Sequence, residues 1–96
     1  MKKIYLLDCT LRDGGFVNNW AFGEGCIKNI FSRLDISGID TIEVGFIDER
    51  ETYDANRSMY PDTKSIEPIF DNIRPPQALV CAMIDYGTCS IDKVAP

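Results

Sequence analysis

Two carboxylates, a guanidinium and a pair of glycines lie close together near the start of this 96-residue chain, as Asp8-Cys-Thr-Leu-Arg-Asp-Gly-Gly15. They follow the apolar run Ile4-Tyr-Leu-Leu7, which predicts a first strand over 4–8 and a polar loop over 9–20. In parallel α/β proteins ligands gather at the carboxyl ends of the strands, so this is where charge has chemical meaning. Asp13 offers a hard oxygen suited to Mg²⁺ or Mn²⁺. Arg12 could hold a carboxylate or stabilise an enolate oxygen. Gly14 and Gly15 permit positive φ and a close backbone approach to a ligand. The plain alternative is a solvated Gly-Gly turn after a strand.

The elements that must position these residues follow from periodicity. Ile27, Ile30, Phe31 and Leu34 fall on one helical face and predict a helix over 24–36, ended by Gly38 in a left-handed conformation. Residues 40–47 predict a second strand, with Ile42, Val44 and Phe46 toward the helices and Thr41, Glu43 and Gly45 on the inner face. An inward Glu43 is costly without a partner, and Arg12 is the candidate partner. The charged stretch 48–62 reads as a long loop, from which Arg50 and Arg57 could reach a carboxylate substrate. Ile66, Ile69, Phe70 and Ile73 predict a second helix, capped by Asp62 or Ser65, with Pro68 in its first turn and an end before Pro75-Pro76. A third, doubly buried strand is expected over 78–84, and Ser90 could open a further helix. The order is β-α-β-α-β, with connections long enough to make the strands parallel.

Composition narrows the function classes. The net charge of −5 argues against a nucleic-acid partner. No apolar run reaches membrane length and no signal-peptide pattern opens the chain, so a cytoplasmic protein with no membrane partner is expected. Cys9, Cys26, Cys81 and Cys89 lack C-x-x-C spacing and read as reduced thiols. With no histidine in the sequence, neither a His/Cys zinc site nor a Ser-His or Cys-His pair can be assembled from this chain alone. No G-x-G-x-x-G or P-loop follows the first strand, which weakens a nucleotide-binding doubly wound sheet.

The run Asp8 to Gly14 resembles the D-x-T-L-R-D-G signature of the family that includes HMG-CoA lyase, isopropylmalate and homocitrate synthases and 4-hydroxy-2-oxovalerate aldolase, matching every specified position. Ile42-Glu-Val-Gly45 is similar to that family's second strand. The resemblance implies a (β/α)₈ TIM barrel with divalent-metal-dependent carbon–carbon chemistry on 2-oxo acids. It implies Asp13 as metal ligand, Arg12 as the enolate-stabilising residue, and Glu43 beside Arg12, orienting it or moving a proton. Such a barrel needs about 250 residues. Residues 1–96 would therefore be its N-terminal part, about three βα units of the α/β barrel, which is not closed within this chain.

In the family two histidines from a late H-x-H motif complete the metal site. Mn²⁺ or Mg²⁺ is accordingly expected to bind this chain weakly or not at all, leaving it inactive alone. Phe16 stands where the aldolases carry a histidine, and Arg12-Asp-Gly-Gly-Phe16 departs from the R-D-G-E-Q of the synthases. The first expectation is an aldolase or lyase; the alternatives are an acyl-CoA-using condensing synthase and a non-catalytic oligomerising α/β module. Exposed strand edges and an apolar face predict a homo-oligomer.

Overall fold

One strand organises the molecule. In the computed structural model, which describes residues 4–70, 76–85, 87, 89 and 90, β2 (Thr41–Ile47) is hydrogen-bonded to every other strand, and every pairing is parallel. Strand β1 (Leu7–Asp8) pairs with its first half, Leu7 opposite Thr41. Strand β3 (Met59–Tyr60) pairs with its second half, Phe46 opposite Met59. Strand β4 (Leu79–Met83) runs along its whole length. Ile42 pairs with both Asp8 and Val80, and Phe46 with both Met59 and Met83. Since a strand has two edges, β1 and β3 share one and β4 takes the other. This is a small α/β fold with a parallel sheet.

Helix α2 (Glu24–Ile36) forms over the predicted residues. Ile27 and Phe31 bury themselves against Ile42, Val44 and Ile47, with Leu11, Tyr60, Ile66 and Phe70 completing the core. Lys28 and Glu24 form an i,i+4 pair at 3.4 Å on the exposed face, which adds a few tenths of a kcal/mol at most. Gly38 ends the helix region at φ 88°, as its spacing predicted. Buried Asp35, near the helix end, accepts from the backbone N–H of Gln77 (2.9 Å) and Ala78 (2.7 Å), fastening the entry to β4.

Several expectations change. The strand expected over 4–8 is regular only at Leu7–Asp8, because β2 begins at Thr41 and the preceding chain is held differently: the backbone N–H of Leu6 donates to Asp40 Oδ2 at 2.7 Å. The expected loop 9–20 instead folds into helix α1 (Thr10–Asp13) followed by a 3₁₀ turn, Gly14–Phe16. Gly14 has a helical φ of −63°, so positive φ is not its role. The loop 48–62 contains β3. Within the described residues, the second helix opens as a 3₁₀ turn, Thr63–Ser65, and continues as α3 (Glu67–Phe70), with Asp62 Oδ1 capping by accepting the Ser65 N–H at 2.9 Å. Ile73 and the helix expected to follow Ser90 lie outside the described residues. Strand β4 is not buried on both faces: Leu79 is exposed and its other residues half-buried.

The sharpest correction concerns Phe46. Between Glu43 and Phe46 the register with β4 shifts, two steps on β4 answering three on β2. Gly45 sits in this bulge at φ 146°, and a Cβ there would lie 2.0 Å from the carbonyl oxygen of Ser58. A glycine is therefore required both by conformation and by the close passage of the chain entering β3. The bulge flips the alternation. Ile47 joins Ile42 and Val44 in the core, while Phe46 turns to the face of Glu43.

Candidate functional site

Helix α1 begins where β1 stops. Asp8 Oδ1 accepts the Thr10 N–H at 2.9 Å and Oδ2 the Thr10 hydroxyl at 3.1 Å, while the Cys9 carbonyl accepts from the N–H groups of Arg12 and Asp13. One turn of helix results, and it places consecutive residues in different settings. Leu11 is fully buried in the core, Arg12 crosses toward β2, and Asp13 faces water with its side chain 64% exposed. Ser58 closes the underside by donating its hydroxyl to the Leu11 carbonyl at 2.7 Å.

Arg12 and Glu43, paired by expectation, meet in a two-point contact. Arg12 Nε donates to Glu43 Oε2 at 2.9 Å and Nη2 to Oε1 at 3.2 Å. Glu43 is buried, its side chain 7% exposed, against 21% for Arg12. The fork geometry locks the guanidinium plane as well as its position. The hydrogen bonding of Arg12 to the Glu43 carboxylate is the main reason its pKa is raised, and the charges of Glu43, Cys9 and Asp13 add attraction, so Arg12 stays cationic. Its third nitrogen, Nη1, reaches Asp13 Oδ1 at 3.5 Å. The structure thus brings all three sequence-predicted residues to one corner, with Glu43 gripping Arg12 tightly and Asp13 loosely.

Cys81, opposite Glu43 on β4, has its thiol pKa pushed up, first by burial and then by the Glu43 charge, with Arg12 opposing. It is held as a neutral thiol beside the ion pair.

Asp13 suits a hard divalent cation in chemistry but fills one coordination position. Among the described residues no three His, Cys, Asp or Glu side chains group as a metal site. The donor set here accordingly does not amount to a complete cation site. Arg50 and Arg57, which could have served a substrate carboxylate, are both engaged by the protein. Arg50 grips Asp48 through Nε (2.8 Å) and Nη2 (2.7 Å), and Arg57 donates to Glu51 Oε2 (3.1 Å) and the Asn19 carbonyl (3.1 Å).

A neighbouring group of aromatics was not anticipated. The indole of Trp20 lies on Gly15, where a Cβ would come within 1.9 Å of the ring, and Nε1 donates to the Arg12 carbonyl at 2.6 Å. Phe16, Trp20 and Phe46 meet edge to face, with centroids 4.8–6.1 Å apart. Their sequence signal was Gly15 itself, needed for ring packing rather than for a ligand. The other signal was Gly45, whose bulge brings Phe46 to this face. A cavity of about 140 Å³ opens beside them.

No helix among the described residues is long and apolar enough to cross a membrane. No family model matches the chain, and no solved structure matches it.

Proposed function

We propose that this chain is the N-terminal portion of a divalent-metal-dependent aldolase or lyase that makes or breaks a carbon–carbon bond in 2-oxo acids through an enolate. The observation that carries the reading is the two-point Arg12–Glu43 contact at the end of the first parallel strand, with Asp13 beside it. Glu43 fixes the guanidinium before any substrate arrives, so no reorganisation is needed when negative charge develops on an enolate oxygen. Arg12 Nη1, held only loosely at 3.5 Å from Asp13, is the nitrogen placed to meet that charge. Asp13 is the residue that would contribute to holding the cation, whose chemistry when bound is to polarise a keto oxygen.

The strand order supports the same reading. Reading β3 as a two-residue addition, the neighbours run β1-β2-β4, sequential and parallel, as consecutive strands of a barrel do. A doubly wound sheet of the 2-1-3 order would instead place its first strand between the second and the third. The absence of histidine from the sequence leaves Asp13 without the ligands its resembled family uses, so the chain holds part of the site and is inactive alone. The exposed apolar residues Ile4, Leu6 and Leu7 and, on the far edge, Leu79 are surfaces that further strands of a closed barrel would cover. In the isolated chain they drive self-association.

Mn²⁺-induced relaxation of water protons, which detects weak binding, tests the ligand assignment. Weak Mn²⁺ binding that strengthens with pyruvate and disappears in Asp13→Asn is expected. Binding that is unchanged in Asp13→Asn would remove the metal role and favour a non-catalytic module.

A further inference from the structure

Helix α1 is only four residues long, too short to hold itself in water, so the groups bonded to it decide where Arg12 and Asp13 stand. A helix end leaves backbone carbonyls without intrahelical partners. Here two carbonyls of α1 are taken by side chains from elsewhere in the chain. Ser58, fully buried, donates its hydroxyl to the Leu11 carbonyl at 2.7 Å. The Trp20 indole Nε1 donates to the carbonyl of Arg12 itself at 2.6 Å. The two donors are joined to each other, because the Ser58 backbone N–H donates to the Trp20 carbonyl at 2.9 Å.

This clasp is anchored on the strand that carries Glu43. The Ser58 carbonyl accepts the Phe46 N–H of β2 at 3.2 Å, and Gly45 gives it the room to come so close. Arg12 is therefore held at both ends against one strand, its guanidinium by Glu43 and its peptide through Trp20 and Ser58. The fork by itself would fix the guanidinium and leave the backbone of α1 free to shift. Asp13, 64% exposed and 3.5 Å from Arg12 Nη1, is not held by a fork, so its place follows the α1 backbone.

Backbone strain aims the clasp. Asn19 and Trp20 both hold left-handed conformations, at φ 56° and 60°. For a bulky residue this is unfavourable and persists only where the surroundings fix it. The Trp20 N–H donates to the Gly15 carbonyl at 2.9 Å, and Arg57 Nε donates to the Asn19 carbonyl at 3.1 Å. Gly15 has no side chain to displace the indole that lies on it.

Resting on the aldolase or lyase reading, we infer that Trp20 and Ser58 are positioning residues. They hold α1 so that Arg12 Nη1 and Asp13 keep one fixed relation to each other and to Glu43. Neither lies in the Asp8 to Gly14 run.

The test is water exchange of the Arg12 Nε–H, the donor to Glu43, followed by NMR in the ¹⁵N-arginine-labelled chain alongside the backbone amides of β2. Trp20→Phe keeps a ring and removes the indole donor; Ser58→Ala removes the hydroxyl and keeps the backbone bonds. In each variant the Arg12 Nε–H is expected to exchange about tenfold or more faster relative to the β2 amides. Exchange at Arg12 that merely tracks the β2 amides in both variants would make the clasp a general stabiliser and overturn the inference. The preference for oxalate over pyruvate, titrated in excess Mn²⁺, should also fall in Trp20→Phe by about threefold or more. An unchanged preference there would overturn the positioning role. Selective loosening of Arg12 in a chain whose unaltered form shows no oxalate preference would uphold the clasp and remove the enolate reading on which its use rests.

Discussion

Two arginine–carboxylate pairs flank the bulge of β2, and their differences separate a positioned charge from a local turn. Arg12–Glu43 joins residues 31 apart in sequence, and the two sides of its fork come from different elements, α1 and β2. Arg50–Asp48 joins residues two apart, and the Arg50 N–H also donates to Asp48 Oδ1 at 3.0 Å, so its fork reinforces a turn the backbone already makes. The Arg12 side chain is 21% exposed and that of Arg50 70%. Both carboxylates are buried, yet only the first pair requires the tertiary fold. Distance in sequence and burial of the cation, rather than hydrogen-bond length, distinguish them.

The largest effect should come from the glycine between the pairs. Gly45→Val would force a branched side chain onto the Ser58 carbonyl at a φ of 146°, and a loss of about 4 kcal/mol or more is expected. Urea unfolding should show the cooperative transition lost or moved close to zero denaturant. A near-normal midpoint would mean that the bulge does not hold Phe46 on the Glu43 face.

Next in size is the contrast between the pairs themselves. Arg12→Ala leaves Glu43 charged and unpaired in a buried position, at a cost of about 3 kcal/mol. Arg50→Ala, removing a solvent-facing guanidinium, should shift the midpoint far less. Equal losses would erase the distinction drawn between them.

The smallest effect is one of pH. The Arg50 hydrogen bond holds the Asp48 carboxyl below the usual range, outweighing the opposing effect of burial. A lowered folded-state pKa means this stabilisation is present above the unfolded value and is lost as pH falls through the folded one. Stability measured from pH 5 down to pH 2 should therefore fall less steeply in Arg50→Ala than in the unaltered chain. The two profiles running parallel would show that the Asp48 pKa owes nothing to Arg50.

The contrast between the pairs was only partly legible in the sequence. Helix α2 declares itself through Ile27, Ile30, Phe31 and Leu34, which keep one 3.6-residue period along its length. Glu43 against Arg12 was legible too, since an inward carboxylate on a strand demands a cation and the preceding strand ends in one. Phe46 was not. Period-two alternation assumes an unbroken strand, and one extra residue at Gly45 reverses every assignment after it. The helical turn at 10–13 was hidden for a different reason. It is made by the Cys9 carbonyl and the Asp8 carboxylate rather than by propensity, and its glycines suggested a loop. Asp35 gave no sign of its partners, because the backbone N–H groups it accepts from belong to residues more than 40 positions away. The aromatic cavity needed the bulge, the Trp20 backbone and the Gly15 contact together, and none of these is a local pattern.

The central claim is that Arg12 meets the enolate oxygen of a 2-oxo acid. Oxalate is a planar mimic of the pyruvate enolate, and a site built for the enolate should prefer it. The direct measurement is calorimetric titration of the chain, in excess Mn²⁺, with oxalate and with pyruvate, in the unaltered protein and in Arg12→Gln, corrected for the affinity of free Mn²⁺ for each acid. A preference for oxalate of about tenfold or more, falling to within about twofold in Arg12→Gln, is the result predicted. The same preference in both proteins would contradict the assignment of Arg12.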